Sequence, residues 1–331
     1  MIQSGRLPWP EQRWGELLRA AVVDLDDLLG RLDLRAADLD VDTDPTFPLR
    51  VPEPFVARMA RGDPADPLLR QVLPLREEHR VLSGYQLDPL EERSFARAPG
   101  LVQKYQGRAL LMAAPACAVH CRYCFRRHFP YTEHRQHSSF PGLQQVADDP
   151  GISELILSGG DPLMLKDAVL SRLIAGIDAV PHVTRLRIHS RLPVVIPQRV
   201  TSALIERLRA SRATPVMVLH VNHANEIDAD FRTATLALRD AGIVVLNQSV
   251  LLAGVNDSVA ALAALSERLF HAGALPYYLH LPDQVLGTHH FAVSEARARA
   301  LVTELRARLP GYLLPRLARE VPGAPAKQVL M

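Results

Sequence analysis

Residues 109–128 read ALLMAAPACAVHCRYCFRRH. An apolar run of strand length, Ala109 to Ala113, leads within a few residues to Cys117, Cys121 and Cys124, the only cysteines in the chain. Thiols packed this closely point to a metal, and their number narrows the choice. Three thiolates neither close a four-coordinate structural zinc site nor fully ligate a four-iron cluster. A cluster held by three cysteines keeps one iron open to a small molecule. The competing reading is zinc bound by the three cysteines with His120 or His128. It is disfavoured because structural zinc sites usually pair two knuckles separated by a longer stretch.

Beyond residue 109 the same texture repeats. Strand-length apolar runs follow at Leu155–Leu157, Leu186–His189, Val216–His220, Val244–Val250 and Tyr277–Leu281. Helix-like segments lie between them at Leu163–Val180, Thr201–Ser211, Asp228–Ala241 and Ser258–Ala272. Alternating strands and helices imply a parallel sheet with right-handed crossovers, either open or curled into a partial barrel. Polar groups follow each run: the cysteines, then Ser158-Gly159-Gly160-Asp161, His189 and Ser190, His220 and Asn222, Asn247 and Gln248, and Asp283. Polar groups at the C-terminal ends of parallel strands are the layout of a barrel active site. Polar strand-to-helix loops are common in any such fold, but that does not account for three cysteines in the first one.

Residues 1–100 read differently, as a mainly helical region with Pro-rich connections; Glu16 to Leu34 carries helical apolar spacing. The division expected is this region, a barrel over 101–295, and a C-terminal helix and tail over 296–331. With 48% hydrophobic and 22% charged residues the composition is that of a globular protein. No apolar stretch has the length of a membrane span, and the N-terminus is too polar for a signal peptide, so a cytoplasmic address is expected. A net charge of +2 gives no case for nucleic acid. The local group Arg122, Arg126, Arg127 and His128 suits small anions better than a polyanion. Of 38 basic residues only Lys104, Lys166 and Lys327 are lysine. A lysine kept in so arginine-rich a chain is a candidate for amine chemistry that arginine cannot perform.

With its flanks, the cysteine run resembles the radical S-adenosylmethionine (SAM) superfamily, where three cysteines hold a [4Fe-4S] cluster and SAM chelates the open iron. KYQGRALLMAAPACAVHCRYCFRRHFPY, LSGGDPLM, RIHSRLP, NHANEI, NQSVLLAGVND, PYYLH and VPGAPAK, in that order, are similar to lysine 2,3-aminomutase. The resemblance implies a partial (β/α)6 TIM-type barrel and three cofactors: the cluster, SAM and pyridoxal 5′-phosphate (PLP). It implies SAM contacts from Ser158, Gly159, Gly160, Asp161 and His220. Taken alone, the Gly-Gly pair is a turn and His220 a core histidine. It makes Lys327 the PLP lysine, a position that otherwise reads as a solvated tail. Arg108, Gln248 and Lys104 are implied for the PLP phosphate and Tyr105 for packing near the ring. Arg126 is implied for the substrate α-carboxylate, a task that suits a planar bidentate donor. Asp283 and Glu320 are implied for the ε-ammonium of lysine, with Glu320 standing where the family has aspartate.

The short chain, FPYTEHRQ after the cluster, Glu320 and FPLRVPEPFVARMARGDPADPLLRQVL resemble the elongation factor P β-lysylation branch, EpmB. That branch implies conversion of L-lysine to (R)-β-lysine. An external reductant feeds the cluster, a deoxyadenosyl radical abstracts hydrogen from Cβ, and nitrogen moves from Cα to Cβ. A separate ligase attaches the product to elongation factor P. A general aminomutase making free β-lysine, or a non-catalytic iron–sulfur or zinc protein, are the alternatives.

Overall fold

The computed structural model describes residues 7–129 and 140–331, so residues 130–136 of the FPYTEHRQ run lie outside it. Among the described residues ten strands form one sheet in chain order. They are β1 (Ala96–Ala98), β2 (Leu101–Tyr105), β3 (Arg108–Ala114), β4 (Glu154–Gly159), β5 (Arg185–Ser190), β6 (Thr214–Leu219), β7 (Val244–Val250), β8 (Leu275–His280), β9 (Arg316–Arg319) and β10 (Gln328–Val329). Strands β3 to β9 run parallel, each beside the next. The hairpins at both ends are antiparallel. The six expected strands are β3 to β8. The outer strands are short, and nothing in their local sequence marks them.

Helices connect the parallel strands, among them Asp167–Asp178, Ser202–Arg209, Ala229–Asp240 and Val259–His271. Their starts are set locally: Thr201, Asp228 and Ser258 each accept the backbone N–H three residues on, at 3.0, 2.7 and 3.2 Å. Such caps contribute about 1 kcal/mol each. Sequential parallel neighbours joined by right-handed crossovers put the helices on one face and curl the sheet. Alternation then sorts the side chains. On β5, Leu186 and Ile188 are buried against the helices while Arg187 and His189 take the other face. On β7, Val245 is buried while Leu246 and Gln248 turn inward. The result is the expected α/β partial barrel, with an apolar layer between sheet and helices and an interior that carries polar side chains among apolar ones.

Among the described residues the barrel's two edges do not pair by backbone hydrogen bonds. They meet through charge. Lys104 on β2 reaches Glu320, the residue after β9, at 3.4 Å. Residues 296–331 are therefore continuous with the sheet, since β9 pairs with β8 and β10 folds back on β9.

The N-terminal region is helical only in short pieces. Asp24 accepts from the N–H of Asp27 and restarts the chain, dividing Glu16–Leu34 into helices Arg13–Arg19 and Leu25–Arg31. Prolines hold the rest to turns. Its role is visible in its contacts: it holds the cysteine loop. Arg50 O accepts from the N–H of His120 at 3.0 Å, and Gln71 O from that of Arg122 at 2.8 Å. The buried Arg122 guanidinium pairs with Glu78 and donates to Phe47 O at 2.6 Å.

From the other side the loop rests on Gly159 and Gly160. Gly160 N–H donates to Ala114 O and Asp161 N–H to Ala116 O, both at 2.8 Å. Gly159 has φ 118°, and a Cβ there would lie 2.7 Å from Ala114 O. A Cβ on Gly160 would collide with the Ala116 carbonyl. These glycines let two backbones touch, a requirement more specific than that of a turn. Gly160→Ala should destabilise the fold by about 1–3 kcal/mol, read by urea unfolding. It should also lower the iron retained after anaerobic reconstitution; unchanged values for both would show that the loops tolerate separation.

Candidate active site

Cys117, Cys121 and Cys124 follow β3 as free, partly buried thiols. Burial, then repulsion from neighbouring thiols and acids, pushes Cys117 well above its ordinary value, and Cys124 up to about 11. Bare thiols would stay protonated here, so metal is what would ionise them. Arg126, Arg127 and Arg191 act in the opposite direction, which suits a donor set taking on thiolate charge. The zinc alternative is not supported by the placement of its candidate histidines, each of which bonds a backbone carbonyl through one ring nitrogen. His120 Nδ1 bonds Pro48 O at 2.8 Å and His128 Nε2 bonds Leu286 O at 3.0 Å. Among the described residues no three His, Cys, Asp or Glu side chains converge as ligands of a single ion do. A cubane binds its thiolates at separate corners and does not require such convergence.

Beside this loop lies Ser158-Gly159-Gly160-Asp161. The Asp161 carboxylate is saturated within the protein. Its Oδ1 accepts from Leu163 N–H and Ser190 Oγ–H at 3.0 and 2.7 Å, and its Oδ2 from Arg191 and Leu192 N–H at 2.8 and 2.9 Å. Four hydrogen bonds use the four acceptor positions of a carboxylate. Burial lifts its pKa, opposed by these bonds. Asp161 thus ties the loops after β4 and β5 together, and an ammonium at this element would meet neighbouring backbone rather than Asp161.

Inside the barrel, adjacent strands bring His189, His220, Gln248 and His280 together. The Gln248 amide lies 3.1 Å from His220 Nε2 and 3.5 Å from His189 Nδ1. Burial holds His189 and His280 well below the ordinary imidazole range and His220 at about 3. The wall therefore offers neutral nitrogens. Gln248 Oε1 and His189 Nε2 are buried without a partner among the described residues. The oxygen and nitrogen of an amide exchange by a simple flip. Either way, one end of Gln248 is available to a ligand, and its NH2 end suits a phosphate.

Lys327, placed by β10 folding back on β9, comes into the same wall. Its Nζ lies 3.3 Å from His280 Nε2, 3.1 Å from Glu320 and 5.1 Å from the centre of the Tyr278 ring. Burial and the charge of Glu320 push the Tyr105 hydroxyl up. Arg108 lies over the Tyr105 ring at 4.4 Å. His280 and Tyr278 were missed as site residues although both stand in PYYLH. Their signal was register: on β8 they share the inward face, and Tyr278 pairs with Gln248.

Charge completes the site as a chain. Arg126 grips Glu92 through Nε and Nη2 at 2.7 and 2.8 Å. Lys104 lies 3.5 Å from Glu92 and 3.4 Å from Glu320, and Glu320 holds Lys327. Burial would lift Glu92, but Arg126 and Lys104 outweigh it and hold it low; Lys327 and Lys104 do the same for Glu320. Asp283 differs. Burial and the charge of Glu320 push it up to about 7. Lys104 sits between two carboxylates, while Arg126 already holds one. Glu92 could not be found from sequence, because its partner is 34 residues away with no motif linking them.

No protein-family model matches the chain. It is 48% identical over 322 residues to the L-lysine 2,3-aminomutase of Escherichia coli K12, covering 96% of this chain and 94% of that one. The corresponding protein of Haemophilus influenzae is 46% identical, covering 96% and 95%. The Clostridium subterminale protein of the same name is 35% identical, covering 84% of this chain and 67% of its own length. A radical SAM methyltransferase from Sphaerobacter thermophilus superposes over 66% of this chain and 68% of its own, with 16% identity and a TM-score of 0.46, a likeness too low to decide anything.

The saturation of Asp161 can be tested directly. Asp161→Asn keeps the shape but turns a donor toward N–H groups, and should lose about 2–4 kcal/mol in urea unfolding. A loss below about 0.5 kcal/mol, the range of an ordinary surface change, would show that the four bonds are not limiting.

Proposed function

Because the chain belongs to the L-lysine 2,3-aminomutase family, we propose that it converts L-lysine to (R)-β-lysine with a [4Fe-4S] cluster, SAM and PLP, for elongation factor P modification. The observation carrying this reading is the placement of Lys327 in the polar wall together with Arg126 and the Asp283–Glu320 pair. A guanidinium and a pair of acids are the chemistry that recognises the two ends of lysine. They also disfavour glutamate, whose far end is an anion. The β-lysylation role rests on the resemblance of Glu320 and the quoted N-terminal run, and a cytoplasmic address agrees with it. Among the described residues no helix is long and apolar enough to cross a membrane.

Cys117, Cys121 and Cys124 would hold the cluster, with SAM over the Ser158–Asp161 backbone near His220. Arg108, Gln248 and Lys327 would hold PLP beside Tyr105. When bound, the cluster and SAM supply a radical and PLP supplies an electron sink that eases movement of nitrogen between adjacent carbons. The chain's own residues position the reactants. Arg126 fixes one end of lysine while Asp283 and Glu320 fix the other, which stretches the aliphatic stem and presents Cβ in one orientation. Lys327 needs a neutral amine to act as a nucleophile. Neutral His280, with Nε2 3.3 Å from Lys327 Nζ, can accept a hydrogen bond from that amine and orient it, while burial keeps the imidazole too weak a base to take the proton itself.

Anaerobically prepared protein with L-lysine, SAM, PLP and dithionite should release (R)-β-lysine. Release of the (S) isomer, or turnover of glutamate in place of lysine, would overturn the proposal. Lys327→Ala should remove the PLP absorption band while retaining the iron–sulfur one; a band that survives would move the PLP lysine elsewhere. A pH dependence follows from Asp283. Only its ionised form pairs with an ammonium, and its pKa is raised to about 7. Lysine affinity should therefore climb about tenfold per pH unit below 7 and level off above it. Asp283→Asn should flatten the profile, as read by equilibrium dialysis.

A further inference from the structure

Glu92 is the buried charge of the site that the proposed reaction leaves without a task. It is 4% exposed, and it is built in rather than incidental. Glu91 takes a left-handed φ of 49°, and the Glu92 N–H donates to Asp88 Oδ1 at 3.2 Å. Both carboxylate oxygens accept from Arg126, filling the Nε–Nη2 edge of the guanidinium. The remaining nitrogen, Nη1, donates to Ser158 Oγ at 3.1 Å and Gly159 O at 3.3 Å. A substrate carboxylate arriving at Arg126 thus meets a fork that already holds a carboxylate. Removing one partner of a buried ion pair strands a charge and is costly unless another partner is at hand. For Glu92 that partner is Lys104, 3.5 Å away, whose other contact is Glu320 at 3.4 Å.

We propose that Glu92 is an internal competitor for Arg126 and thereby a specificity residue. Recognition of the substrate carboxylate is an exchange in which Glu92 releases Arg126 and turns to Lys104. Lys104, drawn to Glu92, loosens its hold on Glu320 Oε2 and makes that oxygen available to the substrate's distal ammonium, while Oε1 stays on Lys327. The two ends of lysine are read together. An amino acid lacking the ammonium has to displace Glu92 without gaining the Glu320 contact, and binds poorly. This rests on the reading of Arg126 as the carboxylate site and of Asp283 and Glu320 as the ammonium site.

The test is equilibrium dialysis with cofactor-loaded protein, without SAM or reductant, so that binding is read without turnover. The ligands are L-lysine, L-norleucine (which lacks the ε-ammonium) and L-lysinamide (which lacks the carboxylate). Glu92→Gln should bind norleucine about tenfold more tightly than the parent, a change of about 1.4 kcal/mol, and so narrow the preference for lysine. Lys104→Met, which leaves Glu92 nowhere to go, should weaken lysine binding by a similar factor at unchanged PLP content; loss of PLP from this variant would assign Lys104 to the cofactor phosphate and overturn the exchange. Opposite directions are the signature of an exchange. If Glu92→Gln leaves norleucine binding unchanged or weaker, Glu92 only orients Arg126 and the proposal fails. Glu92→Asp, with its shorter reach, should shift norleucine in the same direction as Glu92→Gln, and serves if the glutamine variant does not fold. Lysinamide separates the two readings: parent protein binding it as tightly as lysine would remove Arg126 as the carboxylate site, whatever Glu92 does.

Discussion

A buried charge has to be paired, and in this molecule that constraint closes the barrel. Among the described residues the sheet ends in two edges that share no backbone hydrogen bonds. Across the gap run Arg126, Glu92, Lys104, Glu320 and Lys327, each within ion-pair reach of the next. Each charge is tolerable only because of its neighbours, since an isolated one would carry a desolvation penalty of several kcal/mol. In the proposed function the same chain lies where the substrate's charges are read. Fold closure and ligand recognition thus draw on one set of side chains.

Away from the seam the interior works by a different rule. Burial without a countercharge keeps His189, His220 and His280 neutral. The wall beside Lys327 offers lone pairs and amide groups rather than fixed positive charge. Asp283 joins this set from the acidic side, because burial and the charge of Glu320 leave it poised near neutrality. The strongly ionised residues are those with partners; the buried histidines stay neutral, and Asp283 is the group left poised to exchange a proton.

Much of the barrel was legible because its strands carry apolar runs bounded by polar turns, and its helices begin at Thr201, Asp228 and Ser258 with their own caps. The strands β1, β2, β9 and β10 were not, because short edge strands carry little local signal and form on a sheet already present. The cysteine cluster stands out in the sequence by its spacing, and Lys327 by its rarity and its motif. Asp161 was readable as important but not in its manner of acting. A carboxylate after Gly-Gly suggested an amine partner; in the fold it binds three backbone N–H groups and a hydroxyl from the next loops.

By itself the sequence determined the order of strands and helices, the cysteine loop after the first parallel strand, and the side chains available for cofactors. Those depend on neighbours in the chain, or on residue types that admit few uses. Only the tertiary structure decided which charges face one another. It paired Arg126 with Glu92 and set Lys104 between two acids; it also brought Lys327 to His280 and laid Gly160 against the cysteine loop. Ion pairing falls off over a few ångströms, and residues as far apart as Lys104 and Glu320 come within that distance only once the sheet has curled.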